Sequence, residues 1–213
     1  MKGTTHLAIG TVIGAASAVM YPFSLKNAGL YVAIAAFSAL SADLDGNSLL
    51  TGKLGKVSRA VHELLLWGGV LLIAGVGYLY FRYDTLYEEL AIAAAAAFLL
   101  GLVAKEGAIR NALVSVIGLA LMYAGWTAHM NWVIGLGLFI AWAPWLKHRG
   151  MTHTVWALAA WTTIGLGLER QLELEGAAAV SAIGYFSHLF ADTLTPSGVK
   201  WLYPLYKKPF KLH

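Results

Sequence analysis

Apolar residues run along the chain in eight stretches: Leu7 to Phe23, Leu30 to Ala42, Leu64 to Phe81, Leu90 to Ala104, Ala112 to Trp126, Trp132 to Leu146, Thr154 to Leu168 and Ala177 to Leu189. Several fall short of the about 20 residues that a spanning helix needs. Interfacial Trp and Tyr and small polar side chains at their ends extend each by a few residues. The pattern predicts an all-α integral membrane protein, a bundle of about eight short transmembrane helices. No low-complexity tract, long linker or break in composition divides it, so residues 1–213 read as a single transmembrane helical domain. Small residues, as in "AIAAAAAF" from Ala91 to Phe98, favour close helix packing without fixing an oligomeric state.

Composition sharpens this picture. The chain is 59% hydrophobic and 12% charged, against about a quarter charged in soluble domains. Eight apolar stretches in 213 residues leave too little polar chain to cover them in water. The first stretch has a rival reading as a signal peptide, with Lys2 at its positive end and Ala16-Ser17-Ala18 resembling a cleavage site. The run continues through Tyr21, Pro22 and Phe23, which favours an uncleaved helix.

Charge sets the expected orientation. With Met1 cytoplasmic and all eight stretches spanning, the inside segments hold Lys2, Lys53, Lys56, Arg59, Lys105, Arg110, Lys147, Arg149, Lys200, Lys207, Lys208 and Lys211. The outside segments hold Lys26, Arg82 and Arg170, so the 15 basic residues divide 12 to 3. This is the bias of the positive-inside rule, and it places both termini in the cytoplasm with "DTLYEE" and "ERQLELEG" as external loops. Removing one span would invert everything after it and spoil the division. Topology thus accounts for the net charge of +4, which lends no support to nucleic-acid binding.

The unusual polar residues fall on this map in one place. His6 begins helix 1, and "DLDGNS", with Asp43 and Asp45, ends helix 2. His148, Arg149 and His153 lie between helices 6 and 7, while "SHLFAD", with His188 and Asp192, ends helix 8. An even number of spans separates each pair, so all reach the cytoplasmic end, where ionisable groups near the bilayer tend to be functional.

With no cysteine in the chain, a metal must be held by imidazole and carboxylate, the donors suited to zinc, manganese or iron. His188 and Asp192, at i and i+4, share a helical face. Asp43 and Asp45 straddle a turn. His148 and His153 are five apart, which places His148 in the loop and His153 in the first turn of helix 7, with Gly150 bending the backbone between them. Four histidines and three aspartates exceed the ligands of one catalytic zinc. They fit a two-metal site, or one ion with carboxylates orienting its histidines. His62, His129 and His213 read as interfacial or capping groups.

"THLAIG", "DLDGNS", "HRGMTHT" and "GYFSHLFADTLTPSGVKWLYP" together resemble the bacterial membrane-bound, metal-dependent hydrolases of the LexA-regulated inner-membrane group. The likeness runs in order from His6 to Pro204. It implies an inner-membrane location and a metal site of His6, Asp43, Asp45, His148, His153, His188 and Asp192. That family usually has proline immediately before its DxD, where this chain has Ala42. The hydrolase expected from these residues holds one or two divalent ions, zinc or manganese, with Asp45 or Asp192 as general base and the fork of Arg149 on an oxyanion or phosphate. A site at the cytoplasmic interface makes membrane lipid the partner and a lipid phosphoester the natural substrate class.

Two other classes compete. A metal-ion or proton transporter would use the same cluster as a pathway, but the middle of every helix is apolar with scattered Ser and Thr. A non-catalytic scaffold would use metal to tie helix ends together, with "KKPFKLH" on anionic lipid or a partner. The chain has no GxSxG elbow, P-loop or dinucleotide fingerprint.

Overall fold

The computed structural model describes residues 1–46 and 48–212. Asn47 of "DLDGNS" and His213, read above as an interfacial group, lie outside the described residues. The all-α expectation holds, with eight helices: α1 (Gly3–Met20), α2 (Leu25–Ser41), α3 (Gly52–Tyr83), α4 (Glu88–Val103), α5 (Glu106–Thr127), α6 (Asn131–Trp142), α7 (Val155–Leu172) and α8 (Ala177–Thr193). Three 3-10 turns, Ala42–Asp45, Ala143–Trp145 and Met151–His153, join them. Among the described residues the β-pairing is one isolated bridge, Val199 with Phe210.

Four helices are long and apolar enough to cross a membrane: α1, α2 with the turn that extends it to Asp45, α3 and α5. The apolar helix α6 with its following turn, Asn131–Trp145, is shorter. Helix α3 departs most from the apolar pattern. It begins at Gly52, twelve residues before the stretch at Leu64, and carries Lys53, Lys56, Arg59, His62 and Glu63 in helical form. Its 32 residues span about 48 Å at 1.5 Å per residue, well beyond the about 30 Å hydrocarbon core. Lys, Arg and Glu are good helix formers, so a helix continues past its apolar segment where the sequence alone reads as loop.

The chain divides into two compact units. One is Gly52–Leu113, where α3 packs on α4 and Ser58 Oγ donates to the Glu106 carbonyl. The other comprises Met1–Thr51 and Val114–His213 and contains every expected ligand. Within it α1 packs on α2, α2 on α8, and α8 on α7. The α1–α2 approach requires Gly14, where a Cβ would lie 2.4 Å from the Val32 Cα. Gly176, which opens α8 at φ +79°, is fixed by both conformation and space, since a Cβ there would strike the Tyr21 ring.

Between these helices lie two apolar clusters, one around Tyr31, Ala35, Ala177 and Val180, the other around Trp161, Tyr185, Leu189 and Val199. Their polar tips are satisfied. Tyr31 donates to the Glu175 carbonyl, Trp161 Nε1 to Ser38 Oγ, and Tyr185 to the Thr152 carbonyl. Outward-facing side chains such as Val12, Val19, Leu99 and Val103 are exposed apolar groups, the surface expected of helices facing hydrocarbon.

Candidate metal centre

Four segments of the larger unit supply the candidate ligands at one end of its helices, as helix parity predicts. His6 lies in the first turn of α1, Asp43 and Asp45 in the turn closing α2, His148 and His153 in the connection before α7, and His188 and Asp192 in the last turns of α8. All seven meet. Three groups have donor atoms within 4.8 Å of one another: His6, Asp43 and His188; His153, His188 and Asp192; and Asp43, Asp45 and His148. His62, within α3, and His129, at the α5–α6 turn, belong to none of these groups.

The local backbone explains the placement. After Ser41 the helix tightens into a 3-10 turn, closed by the Gly46 N–H on the Asp43 carbonyl, and both aspartates turn inward. Ala42, where the resembled family has proline, is fully buried and starts this turn. In the second connection the left-handed residue is Arg149, at φ 58°, rather than Gly150. Gly150 is needed for space, because a Cβ there would sit 2.6 Å from the Lys147 carbonyl oxygen. His153 also precedes α7 instead of occupying its first turn. It ends the 3-10 turn Met151–His153, and Thr154 caps the helix by accepting from the Ala157 N–H.

Hydrogen bonds fix the imidazole tautomers. His188 Nδ1 donates to the Ala39 carbonyl at 2.7 Å, so in the neutral ring the lone pair is on Nε2. Thr152 Oγ1 donates its single proton to Asp45 Oδ2 at 2.6 Å and therefore accepts from His153 Nδ1 at 3.0 Å. His153 Nε2 is thus also a lone pair. The two Nε2 atoms face each other at 3.2 Å, and both rings are fully buried. Two acceptors in that position repel unless a cation lies between them.

The carboxylates complete the ring around this point. Asp43 Oδ1 lies 3.5 Å from His188 Nε2 and 3.7 Å from His153 Nε2. Asp192 Oδ2 lies 3.9 and 3.8 Å from the same atoms. Donors on a tetrahedral zinc at about 2.05 Å are separated by about 3.3 Å, so these spacings suit a zinc-sized ion or a slightly larger one. His6 stacks on His188 with ring centroids 3.8 Å apart. Both its nitrogens are buried without a hydrogen bond; Nε2 is 3.4 Å from Asp192 Oδ1, a contact without hydrogen-bond geometry.

Asp45 and Arg149 stand differently. Asp45 Oδ1 is 2.8 Å from His148 Nδ1, and Oδ2 accepts from the Arg149 N–H and from Thr152 Oγ1. Three of its about four acceptor sites therefore orient neighbours, and one on Oδ1 stays open. His148 is about half exposed; its hydrogen bond to Asp45 raises its pKa. Burial instead lowers that of His153, which keeps it neutral, as a ligand must be. The Arg149 guanidinium pairs with Asp192 Oδ2 at 3.0 Å and reaches Thr195 Oγ1 at 3.5 Å. The amine of Met1 also meets Asp192.

Sequence reasoning missed Thr152, the Ala39 carbonyl and Tyr185. Thr152 lies inside "HRGMTH", and its hydroxyl between two ionisable residues was the available signal. The other two act through backbone carbonyls or tertiary contacts, which residue type does not mark. No curated protein and no solved structure matches the chain. The model of the YdjM inner membrane protein family matches residues 1–213, and the chain accordingly belongs to that family of inner membrane proteins.

Proposed function

We propose that the protein is a membrane-bound, metal-dependent hydrolase that acts at the cytoplasmic membrane interface on a lipid phosphoester. The observation that carries this reading is the pair of buried Nε2 lone pairs of His153 and His188, 3.2 Å apart and flanked by two carboxylates. His153, His188 and Asp43 are the nearest three donors. Asp192 is farther and paired with Arg149, so those three would hold the ion, the number of protein ligands on a catalytic zinc. His6, which groups with Asp43 and His188, offers the position for a second ion.

A divalent ion held there would supply Lewis-acid polarisation of a phosphoryl oxygen and water of lowered pKa. The chain supplies the rest. Asp45 holds Nδ1 of His148 and so turns Nε2 of this half-exposed ring outward, where it can take or give a proton. Arg149, partly exposed beside Asp192, offers its remaining N–H groups to an anionic substrate. Burial of His153 and His188 excludes water from their lone pairs. The candidate ligands gather at one end of the helices rather than along their depth, which favours hydrolysis over transport.

The test is phosphate or headgroup release by the purified protein, supplied with zinc or manganese, from a panel of lipid phosphomonoesters and phosphodiesters in mixed micelles. The expected result is metal-dependent release that His153→Ala abolishes. Metal-loaded protein inert on the whole panel would overturn the lipid-phosphoester reading.

A further inference from the structure

A groove of about 110 Å³ opens beside the candidate centre, between the end of α6 and the start of α7. Phe139, Trp142, Leu146, Met151, Trp156 and Ala160 form its walls, and Thr152 contributes the hydroxyl-bearing side chain among them. Whole-ligand sites commonly run from about 300 to 1,000 Å³, so a groove this small suits a short segment of a flexible chain rather than a whole ligand. We propose that this groove binds the acyl chain of the lipid whose phosphoester headgroup reaches the metal centre. The proposal rests on the hydrolase reading above and adds the subsite that selects a lipid over a soluble ester.

Continuity with the centre carries the argument. Thr152 belongs to both places: it lines the groove, and its Oγ1 lies 2.6 Å from Asp45 Oδ2 and 3.0 Å from His153 Nδ1. A molecule spanning this wall has an apolar end in the groove and a polar end beside His148, Arg149 and the facing imidazoles. That division of chemistry matches an amphiphile with an anionic head. Hydrocarbon is the occupant because the walls offer a polar chain almost no hydrogen bonds, and burying one there would be costly.

The walls are also built to persist. Pro144 helps turn α6 into the 3-10 segment Ala143–Trp145. Trp145 Nε1 then donates to Ser115 Oγ at 2.8 Å, and Ser115 Oγ donates to the Ala141 carbonyl at 2.7 Å, which ties α6 to α5. On the opposite side Tyr185 holds the Thr152 carbonyl. Trp142 and Trp156 stand about half exposed at the rim, as tryptophans do where hydrocarbon meets headgroups.

Photolabelling tests the assignment. Phosphatidic acid carrying a diazirine on its acyl chain is incorporated into nanodiscs with the wild-type protein, with Ala160→Trp, and with Trp156→Ala. Labelled peptides are mapped by mass spectrometry, and the metal content of each preparation is measured alongside. Ala160 is exposed, so the tryptophan fills the groove without entering the core. The expected result is label concentrated on residues 139–160 in the wild type, lost in Ala160→Trp and redistributed in Trp156→Ala, with metal content unchanged. Label spread over the exposed helix faces and indifferent to Ala160→Trp overturns the groove. Groove failure in metal-loaded protein leaves the hydrolase reading standing. Metal-free protein with a labelled groove sinks the hydrolase reading and retains the lipid site.

Discussion

Thr152→Val keeps the branched shape of the side chain and deletes the oxygen that links Asp45 to His153. Two hydrogen bonds vanish, the 2.6 Å donation to Asp45 Oδ2 and the 3.0 Å acceptance from His153 Nδ1. The bond to the Asp45 carboxylate is worth about 1.5–3 kcal/mol, and the one to the neutral His153 ring about 0.5–1.5 kcal/mol. Asp45 retains His148 and the Arg149 N–H, and His153 Nδ1 lies 3.4 Å from Asp45 Oδ2, so part of the loss is recovered by a shift of the ring. Loss of groups that orient ligands costs roughly 10- to 100-fold in metal affinity, or roughly 1.4–2.8 kcal/mol. The assay is zinc affinity in detergent by competition with a chromophoric chelator, for wild type, Thr152→Val and Thr152→Ser. Thr152→Val is expected to weaken zinc within that range, and Thr152→Ser, which restores the hydroxyl, to recover most of it. Wild-type affinity in Thr152→Val would refute the hydroxyl relay as what presents His153 Nε2.

Arg149→Ala frees Asp192 Oδ2 of its 3.0 Å partner; it is expected to retain metal by elemental analysis and to lose turnover on anionic substrate, and loss of metal instead would make Arg149 a support of the centre. Gly14→Leu drives a side chain into the backbone at Val32, at a cost of about 1–3 kcal/mol or more. Its unfolding midpoint, followed by tryptophan fluorescence in detergent, should fall, whereas Gly29→Leu, with open space around its Cβ, should match wild type. In chelator-treated protein the His148–Asp45 pair should add pH-dependent stability. The folded pKa of His148 is raised above 6.5 by Asp45, so its contribution is complete below 6.5 and disappears as pH rises through the folded value. The difference in unfolding midpoint between wild type and His148→Gln across that window isolates this pair from His153, whose lowered pKa makes stability rise with pH between its folded value and 6.5.

The apolar stretches made the eight helices legible, and helix parity brought residues more than 180 positions apart to one end. The i, i+4 spacing of His188 and Asp192 placed both at the centre for the reason given by helix geometry. Other features have no counterpart in hydrophobic pattern. The first three turns of α3 are charged yet helical, because apolar runs mark what a helix buries rather than where it begins. Residue type could not separate Asp43, open toward the two imidazoles, from Asp45, whose oxygens are taken by His148, Arg149 and Thr152. Nor could it assign the left-handed backbone to Arg149 rather than Gly150, since closure of that turn depends on the Lys147 carbonyl.

The central claim is that two neutral imidazoles face each other because an ion belongs between them. Elemental mass spectrometry on protein purified in detergent, comparing wild type with His153→Ala and His188→Ala, tests it most directly. The account predicts one or two transition-metal ions per chain in wild type and their loss in both variants. Wild type that stays metal-free after incubation with zinc and with manganese would contradict it, and the facing imidazoles would then share a proton as a structural tie.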